Sequence, residues 1–179
     1  EPPKDFATAL PWFEVPDEKT AASAKQLLLH LGVIDETLAV TPLGFKLARI
    51  PLSPRLAAII VKGQELGIGP AALAAACLIS ERMILNRGVP AAAHEECDVR
   101  FQLDVLVQAA RGGEIRPRVL ADAVDFPRVH RIKALYENLA QRLKIAGGLD
   151  QVRFAGGKVS RRAQGEAGRL QPVRHAPRQ

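Results

Sequence analysis

Apolar positions recur at helical spacing along most of the chain, and glycines and prolines punctuate the runs. Ala24, Leu27, Leu28 and Leu31 form one apolar face, predicting a helix that Thr20 caps and that runs to about Leu31. Gly32 follows and can close it in the left-handed conformation. Val33-Ile34 and Leu38-Ala39-Val40 flank the polar Asp35-Glu36-Thr37, which predicts a small hairpin. Thr41-Pro42 then starts a second helix, with the hydroxyl capping and the proline at the first helical position. Leu43, Leu47 and Ile50 give its inner face, and Pro51 stops it. Ser53-Pro54 repeats the same device and opens a third helix to about Leu66, with Leu56, Ile59, Ile60 and Gly63 facing inward and Gly67 and Gly69 ending it. Helix, short hairpin and helix are the parts of a winged helix, expected over residues 19–52.

Pro70 starts a helix over 70–83 whose residues Ala71 to Ile79 are apolar all round, as in a helix buried on most sides. Ser80-Glu81-Arg82 ends it in polar residues, and 84–94 reads as a loop. Glu95, Glu96 and Asp98 gather where a helix N-terminus favours negative charge. That helix continues through Phe101, Leu103, Leu106, Val107 and Ala110 to the Gly112-Gly113 break. Arg116 to Asp125 has the composition of a short helix. Residues 127–146 make a longer one, with Val129, Ile132, Leu135, Leu139 and Leu143 as its apolar stripe and Gly147-Gly148 as its end. Arg128, Arg131, Lys133, Arg142 and Lys144 lie on its other faces. The helices over 53–146 predict a bundle. Residues 1–18 lack any helical period and read as an extended arm that lays aromatic side chains on the domain behind it, with Trp12 as an anchor rather than a base-stacking group. Residues 147–179 lose the pattern and read as a basic, largely disordered tail, with 152–159 able to begin a strand of a following domain.

Composition supports a mainly α fold, a small winged helix followed by a helical bundle. Hydrophobic residues make up 47%, enough for a core, while aromatics are only 4%. The apolar content is largely Ala, Leu, Val and Ile, which favours packed helices over a sandwich or barrel. No apolar run approaches the roughly 20 residues that span a bilayer, and Glu1-Pro2-Pro3-Lys4-Asp5 lacks the regions of a signal peptide. The chain starts without methionine and is expected to be a piece of a longer protein. Cys77 and Cys97 make no metal pattern, and Cys77 sits in an apolar run as a small core residue. With nothing pointing to an oxidising compartment, a cytoplasmic location is expected.

Charge divides the chain. Residues 1–112 carry 11 Lys+Arg against 13 Asp+Glu, and residues 113–179 carry 14 against 6. A basic second half suits a polyanion such as nucleic acid, or equally a solvated surface with a basic tail. The sequence has no GxxxxGK[ST] phosphate loop, and His30, His94, His130 and His175 are scattered. No catalytic residue, metal site or cofactor is therefore expected in the chain itself.

The motifs LGVID, TPLG and IPLSPRL, with a following helix that ends ISER, resemble the helicase-associated region of DEAH-box helicases. The pattern is closest to the bacterial HrpB type, in which Ser-Glu-Arg ends a helix, an Asp followed shortly by Arg (here Asp98 and Arg100) opens the next, and a basic helix comes later. Trp12-Phe13-x-x-Pro16 fits the segment leading into the winged helix. The resemblance covers about residues 10–146, specifically in the first half and more loosely beyond Arg111, and the tail after Gly147 departs from it. It implies a winged helix followed by a ratchet-type helical domain, packed on the two motor domains of the same parent chain and helping to enclose a single strand. It implies that ATP and Mg belong to those motor domains, and that the strand is single-stranded nucleic acid, with RNA favoured over DNA and no membrane partner.

A strand-contacting domain needs cations for phosphates and sometimes a flat group for bases. Arg82 and Arg87, at the end of the buried helix and in its loop, are the first candidates. Arg100 follows, then Arg128, Arg131 and Lys133 on the basic helix. Each has an ordinary alternative as an ion-pair residue: Arg82 beside Glu81, Arg100 near Glu96. Arg55 reads as structural, and Gly32 and Gly44 as backbone positions. Two other functions compete: a winged-helix DNA-binding regulator, and a pure protein–protein interaction module. The first would need a basic recognition helix, whereas helix 42–50 offers only Lys46 and Arg49 beside an acidic turn. The second is supported by the near-neutral first 112 residues.

Overall fold

The computed structural model describes residues 13–81, 84–85, 98–112, 115 and 122–153. Its fold is mainly helical, and the chain divides into two compact units, Glu1–Gly69 and Pro70–Gln179. The helix after Ser53 falls within the first unit.

In the first unit α1 spans Glu18–His30. Asp17, not Thr20, caps it: the Asp17 carboxylate accepts from the Thr20 backbone N–H at 2.8 Å and from the Thr20 hydroxyl at 2.6 Å. The Thr20 hydrogen bonds hold this carboxyl below its ordinary value. Gly32, at φ +67, closes the helix as expected, with the Val33 N–H reaching back to the Leu28 carbonyl. No residue of α1 is buried, and Phe13 in the preceding arm is fully exposed. The expected anchoring does not occur at Phe13; Trp12 lies outside the described residues.

The hairpin is smaller than the alternation predicts. It is a single antiparallel bridge, Ile34 to Val40. The cause lies in the turn. The Asp35 carboxylate accepts from the Thr37 N–H, the Thr37 hydroxyl and the Ala39 N–H, and Leu38 adopts φ 67. A side chain occupied in this way replaces ladder hydrogen bonds with local ones. The Thr37 and Ala39 contacts hold the Asp35 carboxyl below its ordinary value.

Thr41 caps α2, Pro42–Ala48, as the sequence predicts, and Pro42 stands at the start. The Thr41 hydroxyl accepts from the Gly44 N–H at 3.0 Å and donates to the Gly32 carbonyl at 2.6 Å, so one side chain ties the end of α1 to the start of α2. Gly44 is buried there, and a Cβ on it would meet the Val33 carbonyl oxygen and Val40 Cγ1. Helix α3, Pro54–Glu65, packs on α2 and buries Ala57, Ile60 and Gly63. Two expectations fail in α3. The Ser53 hydroxyl makes no capping bond, and Ile59 is exposed because the buried stripe runs through Ala57, Ile60 and Gly63, three residues apart, and leaves Ile59 off that line. Gly67 at φ +74 ends the helix, with the Ile68 N–H donating to the Gly63 carbonyl.

Helix α4, Gly69–Ser80, begins at the last residue of the first unit and otherwise belongs to the second. It is buried as predicted: Leu73, Ala74, Ala76 and Cys77 are wholly inaccessible. It stops at Ser80 instead of running to 83, and the Ser80 hydroxyl donates to the Cys77 carbonyl at 2.9 Å. Helix α5 spans Asp98–Ala110 and α6 Phe126–Leu143, and the two pack together. The loop after α4 holds an unforeseen pairing. Leu85 bridges Val124, the Asp125 N–H donates to the Ile84 carbonyl at 2.8 Å, and the buried Gln102 side chain accepts from the Ile84 N–H at 2.9 Å. A buried N–H without that acceptor would cost about 1–3 kcal/mol.

Helix α6 buries Val129, Ile132, Tyr136, Leu139 and Ala140. It ends at Leu143, not at Gly147-Gly148, because Lys144 takes the left-handed position at φ 55 and the Ile145 N–H returns to the Ala140 carbonyl. The tail is ordered for longer than its composition suggests. A short 3-10 turn, Leu149–Gln151, packs on α5 and α6 and buries Leu149, and Val152 is buried after it. The Arg111 guanidinium donates to the Asp150 carbonyl at 2.6 Å. Residues 154–179, Cys97, Glu95, Glu96 and most of 116–125 lie outside the described residues.

Burial pushes the Cys77 thiol up to about 12 from 9.0, with Glu81 adding in the same direction. Burial also pushes the Tyr136 phenol up to about 12 from 10.0, with Cys77 and Asp150 adding. In the unfolded chain both groups ionise earlier. Their contribution to stability is therefore full below pH about 9 and is lost as pH rises toward 12. Cys77→Ala should move the onset of that loss from about pH 9 to about pH 10, read as the thermal midpoint against pH.

Candidate nucleic-acid interface

The second unit holds every described candidate. Arg128, Arg131 and Lys133 lie on α6, an 18-residue helix about 27 Å long, whose buried stripe fixes which side chains point outward. Arg128 is half-buried and pairs with Asp125 at 3.3 Å, one turn back. The Asp125 carboxylate also accepts from the Arg128 N–H at 2.9 Å and so caps the helix. Lys133 is half-buried, and Arg131 is exposed. Arg131 Nε lies 3.5 Å from Glu81 Oε2. This contact puts the polar end of α4 beside the first half of α6, an adjacency that residue spacing gave no hint of.

Arg100 is turned along its own helix. Its Nε lies 3.6 Å from Asp104 Oδ2, both side chains about 30% exposed. The sequence offered Glu96 as its partner, and Glu96 lies outside the described residues; among the described ones Arg100 meets Asp104, four residues on. Burial raises the Asp104 carboxyl, while Arg100 pulls it the other way. Arg82 and Arg87 lie outside the described residues.

These placements rank the candidates. Arg131 is the most exposed of those described, and its pair with Glu81 is long and solvated. Such pairs contribute about 0–1 kcal/mol, so a phosphate oxygen can displace the carboxylate at small cost. Arg128 and Arg100 are held by carboxylates on their own helices. The acidic turn of the first unit has a structural use: Asp35 closes it through three hydrogen bonds.

Sequence reasoning passed over Phe126 and His130, which are exposed on the first turns of α6. Their i,i+4 spacing outside the Val129–Ile132 stripe was the available signal. Among the described residues no helix is long and apolar enough to cross a membrane, and no cluster of three or more His, Cys, Asp or Glu residues is suited to a metal ion.

Over 76 residues the chain is 32% identical to the "Probable ATP-dependent RNA helicase DHR2" of Saccharomyces cerevisiae, a match covering 42% of this chain and 10% of the yeast protein. The chain thus spans about a tenth of that curated relative. Residues 26–52, from the second half of α1 through α2 to the turn before α3, match the winged-helix family described as Helicase associated domain (HA2). The chain is thus similar over residues 26–52 to the winged helix of helicase-associated domains, and over 76 residues to part of an RNA helicase.

Proposed function

We propose that the chain is the accessory region of an ATP-dependent helicase, that it packs on the motor domains of its parent, and that it contacts single-stranded nucleic acid, RNA before DNA. The match of residues 26–52 to the HA2 winged helix carries this reading. The similarity to a yeast protein named as a probable ATP-dependent RNA helicase supports an RNA helicase as the parent. Motor domains would bring ATP and Mg, since the 179 residues contain no GxxxxGK[ST] loop. The ISER motif at residues 79–82 and the Asp98-x-Arg100 opening of α5 favour the HrpB type within the family. In this reading the second unit contributes the cations: Arg131 on α6, with Arg82 and Arg87 in the segment that follows α4, and Arg128, Lys133 and Arg100 in support. The chain itself performs no hydrolysis and works in the cytoplasm.

A titration with single-stranded RNA at two salt concentrations tests this. Binding should be weak and should fall as salt rises, because each neutralised phosphate releases counterions. The double change Arg82→Ala and Arg87→Ala should weaken it by about tenfold and flatten the salt slope by about one to two. Unchanged binding removes these two residues from the interface. Tight, sequence-specific duplex binding would favour a regulator instead, and the absence of binding at any salt would leave a protein–protein module.

A further inference from the structure

We infer that the outer face of α6 at Phe126 and His130 is a base-stacking platform for single-stranded nucleic acid, an inference that rests on the proposed function and adds to it how bases are held. Among the described residues of the second unit, Ile79 and Phe126 are the exposed large hydrophobic side chains, each at 45%. Phe126 is not loosely placed. The residue before it, Asp125, donates its N–H to the Ile84 carbonyl at 2.8 Å and accepts the Arg128 N–H on its carboxylate at 2.9 Å. Val124, one further back, is buried and bridged to Leu85. Pro127 follows, with its φ fixed by the ring. The backbone that carries this ring is therefore pinned on both sides, so little order remains to be imposed when a base lands on it.

His130 lies one turn on, exposed, with its Nδ1 2.8 Å from the Phe126 carbonyl oxygen. That contact holds a second flat ring on the same side of the helix. Arg131 is adjacent and reaches Glu81 only at 3.5 Å. Two flat groups beside a displaceable cation form the combination by which proteins hold single strands, with rings taking bases and guanidinium taking phosphate. Base–aromatic stacking is worth about 1–3 kcal/mol per base, or on the order of tenfold in affinity.

The test compares two ligands on the full chain by fluorescence anisotropy: a short uridine-rich single-stranded RNA, and the same backbone carrying abasic sites. The wild-type chain should prefer the base-bearing strand by about tenfold. Phe126→Ala should bring that ratio close to one while leaving the abasic affinity, the salt slope and the thermal midpoint unchanged. Phe126→Trp should restore the ratio. Arg131→Ala should instead weaken both ligands together and flatten the salt dependence. If Phe126→Ala keeps the base preference, the platform is overturned while salt-sensitive binding leaves the proposed function standing. If the wild-type chain binds neither strand at low salt, the proposed function fails and the platform with it.

Discussion

Gly44→Ala should destabilise the first unit by about 2 kcal/mol or more, in spite of alanine being the better helix former by about 1 kcal/mol. The reason is the contact that a methyl group would make. A Cβ at position 44 would press on the Val33 carbonyl oxygen and stand 2.8 Å from Val40 Cγ1. The valine can rotate, but the carbonyl cannot move alone. It accepts the Thr41 N–H at 3.0 Å and lies 3.3 Å from the Thr41 hydroxyl, which is the cap of α2. Relieving the clash therefore disturbs the cap, the bridge and the end of α1 together. Gly67→Ala is the control. A Cβ there meets nothing within 4 Å, so only the strain of φ +74 remains, about 1–2 kcal/mol. Urea unfolding of the two variants separates the effects. A Gly44→Ala midpoint at or above wild type would show that α2 does not approach the turn this closely.

Tyr136→Ala should cost the second unit about 4 kcal/mol, as for other large aromatic-to-alanine changes in a core. Tyr136 is wholly inaccessible, and its hydroxyl donates to the Gly147 carbonyl at 3.3 Å. Its loss removes a ring between α6 and the segment that leads to the 3-10 turn. Tyr136→Phe keeps the ring and loses only a long hydrogen bond, so it should cost about 1 kcal/mol. Chemical denaturation gives the difference between the two. Amide exchange at Leu149 and Val152 reports on the docking: it should quicken strongly in Tyr136→Ala and slightly in Tyr136→Phe. Equal stability of the two variants would mean that the ring carries no packing load.

The sequence made the helices legible wherever an apolar stripe met a strong stop. Thr41-Pro42 capped α2 as read, Gly32 closed α1 as read, and the all-apolar run after Pro70 was buried on most sides as read, with Ile79 at its end exposed. Misreadings came where a side chain overrode the pattern. Asp17 took the cap because Thr20 serves better as its donor than as an acceptor for the helix. Asp35 consumed the hairpin's amides, and Lys144 reached the left-handed position that a glycine three residues later had seemed to mark. The start of the tail misled through composition: Leu149 and Val152 are buried within residues 147–153, and a charge count does not register them. For the candidate interface, residue type identified Arg131, but only folding showed that Glu81 faces it. Phe126 and His130 went unnoticed because an aromatic at a helix start reads as core, and exposure is a tertiary property.

The bridge between Ile34 and Val40 leaves the first unit, among its described residues, without a strand long enough to present a row of unpaired amides. Among the described residues of this unit, neighbouring copies find no edge on which to extend a shared sheet, a common route to aggregation. By the same token, the described residues of this unit offer a partner no strand to extend. Recognition has to come through the side chains that its helices and turn expose, so partner choice here is open to change by single substitutions.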